Sequence, residues 1–239
     1  MKDWTYDPDP TIEKPLAESL TLFPREKDFF FSGLRYLWNF LLRAWLKMYF
    51  RLEIRGREQL PKAESYVLVA NHSSHLDAVA LSSAIPWRSI GATFSVAAKD
   101  YFFSSFFRSL FSAVCANAIP FERHKNPRES LELCADALAV SGQALILFPE
   151  GTRSQDGTIL TFKPGIGFLT AGTNRLVVPA YISGAYRAWP KGKCCPRPKK
   201  VTVRIGKPLS FQSVPRTKEG FAQAAKTVEQ EVIKLQGEL

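Results

Sequence analysis

From residue 51 onward, short apolar runs of β-forming residues alternate with stretches of helical periodicity. This alternation restricts the chain to a layered α/β domain, because strands that are joined through helices form a sheet covered by those helices. The strand-like runs are YVLVA at 66–70, SVAA at 95–98, AVCANAIPF at 113–121, ALILF at 144–148, LVVPAYI at 176–182 and VTVRIG at 201–206. Helical patterns between them lie at 77–85, 101–111, 127–142 and 163–173.

The domain organisation follows from this alternation. A chain of 239 residues can bury a core without disulfide or metal staples, and one domain accounts for its length. We predict one layered α/β domain at 51–215, with a mixed, largely parallel central sheet flanked by helices. Residues 1–50 are predicted to be a lead-in and a membrane-interface helix, and residues 216–239 a C-terminal amphipathic helix docked on the domain. The apolar face of that last helix comprises Phe221, Ala224, Ala225, Val228, Val232 and Leu235.

The N-terminal stretch FFFSGLRYLWNFLLRAWLKMYF is the densest apolar segment of the chain. It lacks the roughly 18 uninterrupted apolar residues expected of a membrane span, because polar side chains recur at every fourth position: Arg35, Asn39, Arg43, Lys47 and Arg51. A helix with a basic stripe and Trp, Phe and Leu on the remaining surface is typical of the lipid headgroup region. A helix packed on the domain core is the alternative interpretation, since it also has an apolar majority and a thin charged face.

The balance of charges indicates an anionic partner. The 32 basic and 22 acidic residues give a formal net charge of +10, which fits nucleic acid, an acidic membrane surface or a phosphorylated small substrate. The four cysteines show no CxxC pairing and indicate a reducing compartment, and Cys115 and Cys134 lie in apolar runs typical of buried structural residues. The polar, proline-rich N-terminus has no readable secretory signal, so we expect the chain on the cytoplasmic side of a membrane.

Two histidines and an aspartate fall together in NHSSHLD, between a strand-like run and a helix-like run. Strand-to-helix turns are where α/β sheets place their sites. The cluster has three interpretations. As a metal site it is short of ligands, because a catalytic zinc commonly needs three protein ligands and the only further histidine is His124. As a structural turn, Asp77 caps a helix. As a catalytic pair, Asp77 orients His72 to act as a general base on a substrate hydroxyl.

A second polar turn follows the strand-like run ALILF and reads Pro-Glu-Gly-Thr-Arg-Ser. It places an acid, a flexible glycine and the guanidinium of Arg153 at another strand end. Arg153 can form a forked contact to phosphate, and Arg123 also follows a strand-like run. A plain turn is the alternative, but two such arginines indicate a phosphate-bearing acceptor.

Motifs of covalent and nucleotide chemistry are absent from the sequence, which contains no GxSxG, GxxxxGK[ST] or GxGxxG. A base, a phosphate clamp, an apolar helix and no protein nucleophile favour direct attack by a bound hydroxyl on an acyl carbonyl. The sequence therefore indicates acyl transfer.

With these motifs in place, the chain resembles the glycerolipid acyltransferases, in particular the 1-acylglycerol-3-phosphate (lysophosphatidate) acyltransferase family. Residues 71–77 match the Asn-His-x-Ser-x-x-Asp block of that family, and residues 148–154 match its Phe-Pro-Glu-Gly-Thr-Arg-Ser block in full. Residues 119–123 resemble the intervening arginine block, and residues 177–179 resemble the apolar proline block. The resemblance spans roughly residues 50 to 210.

The resemblance implies roles for individual residues. His72 is the base on the acceptor hydroxyl and Asp77 holds its tautomer. The substrate-binding residues are Arg123, Glu150, Gly151, Thr152 and Arg153. No metal or other cofactor is implied, since a fatty acyl thioester, carried by coenzyme A or acyl carrier protein, is activated enough for positioning and general-base catalysis. The product from 1-acylglycerol-3-phosphate is phosphatidate.

The implied partners are a lysophospholipid acceptor, the acyl thioester donor and an anionic membrane surface, and not nucleic acid. The implied location is peripheral or monotopic on the cytoplasmic face of a membrane. Three alternatives stay open: an acyltransferase of this family acting on another lyso-lipid or an amino-lipid, a metal-dependent hydrolase, and a non-enzymatic membrane-binding module. The sequence departs from the family pattern at Asn117, where glycine is expected, and at His75, where the family often has an aromatic residue.

Overall fold

The structure is a computed structural model that describes residues 29–98, 118–121 and 127–237. Its helices are α1 (Phe29–Tyr49), α2 (Asp77–Ala84), α3 (Pro127–Ala137), α4 (Gly165–Thr170), α5 (Ala185–Ala188) and α6 (Lys218–Gly237), with 3₁₀ turns at Arg57–Gln59 and Trp87–Ser89. Its strands are β1 (Glu53–Arg55), β2 (Tyr66–Ala70), β3 (Thr93–Ala98), β4 (Ala118–Phe121), β5 (Ala144–Leu147), β6 (Leu176–Ser183), β7 (Thr202–Ile205) and β8 (Leu209–Ser210).

The strands of the described residues form one sheet in the order β1-β7-β6-β2-β5-β3-β4, and β8 pairs with β6. Strands β2 to β6 run parallel to one another, whereas β7 and β8 are antiparallel to β6 and β1 is parallel to β7. The prediction of a mixed, largely parallel sheet flanked by helices is confirmed. The carboxyl ends of β2 and β5 therefore lie side by side, where a doubly covered sheet places its sites.

Strand β2 is central because its sequence is apolar on both faces. All five of its residues are buried, as expected of a parallel strand with a helical layer on each side. Leu68 and Ala70 belong to a core with α1 and α2, and Val67 and Val69 belong to a second core with α3, α4 and α6. The period-two alternation of side chains thus assigns successive residues to opposite layers.

Two residues of the polar stripe of α1 face the domain. Asn39 is buried, and the half-buried Arg43 donates to the carbonyl oxygens of Ser82 (3.2 Å) and Ile85 (2.7 Å) at the end of α2. Its guanidinium carbon also lies 4.3 Å from the ring centroid of Trp87. Carbonyls at a helix C-terminus lack intrahelical partners, so an arginine is well placed to satisfy them. The interpretation of the whole stripe as a headgroup-facing surface is therefore wrong for Asn39 and Arg43.

The opposite surface of α1 is apolar and exposed. Its exposed large side chains include Leu34, Leu37, Phe40, Leu41, Trp45 and Met48, of which Met48 is 82% exposed. Lys47 is exposed at the same end of the helix, and Arg51 follows the helix in a left-handed conformation with φ of 49°. No helix in the described part of the chain is both long enough and apolar enough to cross a bilayer.

The C-terminal helix α6 packs on α4 and on β6. The predicted contact residues from Phe221 to Val232 are buried, and Leu235 packs against the same core while remaining partly exposed. Cys134 is fully buried, and burial raises the pKa of its thiol to about 12, so it is an inert core residue as predicted. Cys115 and the predicted helix at 101–111 lie outside the described residues.

Candidate active site

Two loops form the site, and each follows one of the paired strands β2 and β5. Both loops leave the same edge of the sheet because the two strands are parallel, with Val69 opposite Leu147. The loops are joined at His72: its backbone N–H donates to Oε1 of Glu150 at 2.9 Å, and its carbonyl accepts from the backbone N–H of Ser154 at 2.8 Å. The structure thus brings together the two motifs that the sequence predicted to form one site.

Asn71 fixes the start of the first loop to the sheet. Its side chain donates to the carbonyl of Ile182 at 3.1 Å and accepts from the backbone N–H of the same residue at 2.8 Å. The side chain therefore replaces the backbone hydrogen bonds with β6 beyond the end of β2. Since Asn71 is buried, its amide fixes where the chain turns out of the sheet, one residue before His72.

Asp77 is the first residue of α2 and folds back over the loop before it. Its Oδ2 accepts from the backbone N–H groups of Ser73 (2.6 Å) and Ser74 (2.7 Å) and lies 2.9 Å from Nδ1 of His72. The residue is fully buried, and its Oδ1 has no hydrogen-bond partner among the described residues. The expectation that Asp77 caps α2 is wrong, because its carboxylate accepts from amides that precede the helix. A structural and a catalytic role are nevertheless compatible, since one carboxylate oxygen both stabilises that turn and contacts the imidazole.

The imidazole of His72 is held on two sides. Its ring stacks on that of Phe148, with centroids 4.1 Å apart and planes 18° from parallel. An ionised carboxylate only accepts hydrogen bonds, so the contact with Asp77 assigns the proton of a neutral imidazole to Nδ1 and leaves the lone pair on Nε2. The side chain of His72 is 18% exposed. This arrangement presents an oriented base to a ligand.

The second loop begins with a tight turn. Gly151 donates from its backbone N–H to the carbonyl of Phe148 at 3.1 Å and has a φ of 72°, which is a left-handed conformation that favours glycine. A Cβ atom at this position would also lie 2.8 Å from Nζ of Lys163. The amino group of Lys163 therefore lies over Gly151 and adds a cation to the loop.

Glu150 lies beneath this turn, only 2% exposed. Burial raises the pKa of Glu150 to about 7, against the opposing effect of hydrogen bonds from the backbone amides of His72 and Leu160. Its Oε2 is buried and has no hydrogen-bond partner among the described residues. In this position Glu150 links the two loops through His72, and it is too deeply placed to be a freely exposed acid.

The predicted anion-binding residues differ in their surroundings. Arg153 is half-buried, and its Nη1 lies 2.6 Å from Nδ1 and 2.8 Å from Nε2 of His75. Thr152 is exposed in the same loop. Arg123, Asn117 and His124 lie outside the described residues, although β4, which precedes Arg123, ends at the same edge of the sheet as β2 and β5.

The described residues contain no group of three or more His, Cys, Asp or Glu side chains that could hold a metal ion. His75 of the NHSSHLD motif is directed to Arg153, and only His72 contacts Asp77. The two histidines therefore contact different side chains, His72 that of Asp77 and His75 that of Arg153.

Sequence reasoning did not assign site roles to Lys163, Trp189 or Phe148. Lys163 lies just before the first residue of α4. A basic residue next to the N-terminus of a helix is a pattern from which a candidate site residue could have been predicted. Trp189 lies far along the chain, yet its carbonyl accepts from Oγ of Ser74 at 2.7 Å. No local pattern indicates that contact, because it depends on the path of the chain after β6.

The buried parallel strands, the His–Asp pair and the adjoining basic loop define an α/β enzyme-like site, and comparison with known proteins names its class. A family model described as Acyltransferase matches residues 51–183. The chain therefore belongs to the Acyltransferase family.

Several relatives share sequence and fold. A 1-acyl-sn-glycerol-3-phosphate acyltransferase from Limnanthes alba is 32% identical over 162 residues, which are 66% of this chain and 54% of the plant protein. The alpha form from Homo sapiens is 27% identical over 136 residues, covering 56% and 46% of the two chains. The chain spans about half the length of the curated relatives it matches. The crystal structure of the 1-acyl-sn-glycerophosphate acyltransferase PlsC from Thermotoga maritima shares the fold, with a TM-score of 0.66, 23% identity and coverage of 92% and 87%.

Proposed function

We propose that the protein transfers a fatty acyl group from an acyl thioester to the free hydroxyl of 1-acylglycerol-3-phosphate, giving phosphatidate. The observation that carries this proposal is the double hydrogen-bonded link at His72, which joins an oriented imidazole to a loop with an arginine and a lysine. The names of the relatives support the choice of acceptor, since they describe 1-acyl-sn-glycerol-3-phosphate acyltransferases.

In the proposed reaction, Nε2 of His72 takes the proton of the acceptor hydroxyl as the oxygen attacks the thioester carbonyl carbon. The carbon–sulfur bond then breaks, and the proton passes from the imidazolium to the departing thiolate. Asp77 stabilises the imidazolium through its contact with Nδ1. No protein nucleophile is required, because a thioester is already activated and the bound reactants are held together.

Cations of the second loop are proposed to bind the phosphate of the acceptor. Arg153 offers a fork of donors, and the amino group of Lys163 lies over Gly151 in the same loop. Arg123 is proposed as a further ligand on the basis of the family resemblance. Glu150 and Gly151 are proposed to act by shaping this loop, since Glu150 bonds to His72 and Gly151 permits the turn.

We also propose that α1 holds the enzyme at a membrane surface. Its exposed apolar side chains suit insertion among acyl chains, and the exposed Lys47 and Arg51 suit contact with anionic headgroups. A lipid acceptor and a long-chain donor are both found at such a surface. The proposed location is peripheral or monotopic on the cytoplasmic face.

The test is thiol release by the purified protein, with acyl-CoA or acyl-loaded carrier protein as donor. The acceptors are lysophosphatidate, a lysophospholipid with a large headgroup and an amino-lipid, and lipid products are identified by mass spectrometry. The proposal predicts that lysophosphatidate gives the fastest release and that phosphatidate accumulates. Release without any acceptor would indicate a hydrolase, and loss with chelator followed by recovery with zinc would indicate a metal enzyme. Vesicle binding without release would leave only a membrane-binding module.

A further inference from the structure

A loop of high positive charge follows α5. Residues 191–199 read KGKCCPRPK and contain four basic residues and no acidic residue. All four basic side chains are exposed: Lys191, Lys193, Arg197 and Lys199. None of them forms an ion pair with any residue that the structure describes, whereas the next residue, Lys200, pairs with Glu53 at 2.6 Å. The 191–199 loop therefore presents four like charges to solvent without a counter-charge from these residues.

The 191–199 loop is attached to the exposed apolar surface of α1. The phenol of Tyr49 donates to the carbonyl of Pro196 at 3.2 Å. Tyr49 is the last of four exposed side chains that recur at every fourth position of α1, and the others are Leu37, Leu41 and Trp45. The rings of Trp45 and Tyr49 are stacked with their centroids 6.1 Å apart. The apolar stripe thus ends at the loop, so apolar and basic side chains form one continuous surface.

The same loop is attached to the catalytic turn. Trp189 lies two residues before the loop, and its carbonyl accepts from Oγ of Ser74 at 2.7 Å and from the backbone N–H of His75 at 3.3 Å. The loop folds back on this tryptophan, because the indole Nε1 donates to the carbonyl of Lys193 at 2.8 Å. The 191–199 loop therefore joins the apolar surface of α1 to the turn that carries His72.

A bilayer interface matches both parts of this surface, because it places phosphate groups next to hydrocarbon. Nucleic acid offers the charge without the hydrocarbon, and soluble proteins rarely expose a large apolar patch. Trp and Tyr are enriched at membrane interfaces, and basic segments beside an interfacial helix are attracted to anionic lipids. Apolar and electrostatic contributions act together in such attachment. Charge complementarity therefore favours a membrane that contains anionic lipids.

We propose that the 191–199 loop binds the headgroups of anionic lipids in a bilayer and holds the catalytic turn against that surface. The inference rests on the proposed membrane location, and it adds the loop that makes this location depend on lipid charge. The stripe of α1 supplies the apolar contact and the loop supplies the electrostatic contact. Lysophosphatidate and phosphatidate are themselves anionic lipids, so a surface that contains the acceptor or the product attracts the loop.

The test uses two variants of the full chain that lose the same number of positive charges. The loop variant combines Lys191→Gln, Lys193→Gln, Arg197→Gln and Lys199→Gln. The control variant changes four exposed lysines in other segments and combines Lys62→Gln, Lys207→Gln, Lys218→Gln and Lys226→Gln. Because all eight positions are exposed, both variants should keep the melting temperature of wild type. Sedimentation is measured with vesicles of phosphatidylcholine, and with vesicles of phosphatidylcholine mixed with phosphatidylglycerol, at low and high sodium chloride.

We expect the loop variant to bind the mixed vesicles about 10²-fold more weakly than wild type at low salt, because each basic residue near an anionic surface contributes to the attraction. The difference should shrink as salt rises, since salt screens the charges. The control variant should stay within about threefold of wild type, and all three proteins should bind the neutral vesicles alike. Equal weakening of the two variants, unchanged binding of the loop variant, or equal weakening on neutral vesicles would each overturn the proposal.

Thiol release distinguishes a membrane-binding loop from a substrate-binding loop. With long-chain lysophosphatidate in the mixed vesicles, the loop variant should release thiol more slowly than the control variant. With a short-chain lysophosphatidate dissolved in buffer, the two should release it at equal rates. A raised KM of the loop variant for the dissolved acceptor or for acyl-loaded carrier protein, with vesicle binding unchanged, would mean that the loop binds a substrate and would contradict the proposal. Weaker vesicle binding by the loop variant, in a protein that releases no thiol at all, would support the proposed surface and contradict the proposed acyl transfer alone.

Discussion

The backbone amide of His72 donates to the buried carboxylate of Glu150 across 2.9 Å, which ties the residue that carries the imidazole to the loop that carries Arg153. The carbonyl of His72 completes the link by accepting from Ser154. Since both loops leave adjacent parallel strands, the position of the base relative to the basic loop is set by two hydrogen bonds of the His72 backbone, one to the buried carboxylate of Glu150 and one to the amide of Ser154. It does not depend on long, mobile side chains meeting one another.

Substitution of Asp77 by Asn separates the structural role of this side chain from its catalytic role. The amide oxygen can still accept from Ser73 and Ser74, but it carries no charge to stabilise the imidazolium of His72. We expect kcat to fall by about 10²- to 10⁴-fold with little loss of stability. Steady-state kinetics and thermal unfolding measure the two effects. Near wild-type turnover would mean that Asp77 only stabilises the turn before α2.

Removal of the side chain of Asn71 should destabilise the fold. Asn71→Ala leaves the buried N–H and C=O of Ile182 without their partners, and each such loss costs roughly 1–3 kcal/mol. Urea unfolding gives the free energy, with Asn174→Ala at an exposed position as the matched control. A variant as stable as this control would show that the side chain does not bridge to β6.

The free energy of unfolding should depend on pH because of Glu150. Its pKa is raised from 4.5 to about 7, so between these pH values the folded state holds a proton that the unfolded state has released. Stability therefore falls as the pH rises from about 4.5 to 7, by on the order of 1–3 kcal/mol. Glu150→Gln should remove this fall while keeping an acceptor for the amide of His72.

The measurement is the melting temperature of wild type and Glu150→Gln from pH 4.5 to 8. Glu64→Gln, at an exposed position, is the control and should follow wild type. If wild type and Glu150→Gln have parallel profiles, the carboxyl does not keep its proton on folding.

The exposed apolar surface of α1 should bind vesicles. Leu37→Glu combined with Leu41→Glu places charges on side chains that are 55% and 53% exposed in the structure, so it should abolish sedimentation with anionic vesicles at little cost in stability. Val140→Glu combined with Ile233→Glu alters apolar residues elsewhere that are 59% and 46% exposed, and it is the control. Equal sedimentation of the two double variants would rule out α1 as the membrane contact.

Much of the fold was predictable from local patterns. β2 and β5 are uninterrupted apolar runs between polar turns, and α6 has a clear helical period. β1 and β8 were not predicted, because they have three and two residues and exist through pairing with β7 and β6. The helical pattern at 127–142 predicts a longer helix than the structure has: α3 ends at Ala137, and Gly142 adopts a left-handed turn that leads into β5.

The site was predictable in part. The strand-to-helix turn and the spacing of His72 and Asp77 were sufficient to predict their contact, because five residues around a helix entrance can fold back on themselves. The partner of Arg153 could not be derived, since His75 meets it across 78 residues of chain. The orientation of α1 could not be predicted from its own sequence either, because it depends on the contacts of Arg43 with the carbonyls of Ser82 and Ile85 at the end of α2.

The most direct test of the central claim is thiol release from acyl-CoA with lysophosphatidate, comparing wild type with His72→Ala. The account predicts that the variant keeps its fold by circular dichroism and thermal unfolding and loses turnover by at least the 10²- to 10⁴-fold expected for a general base. Turnover by a folded His72→Ala protein at the wild-type rate would contradict the account.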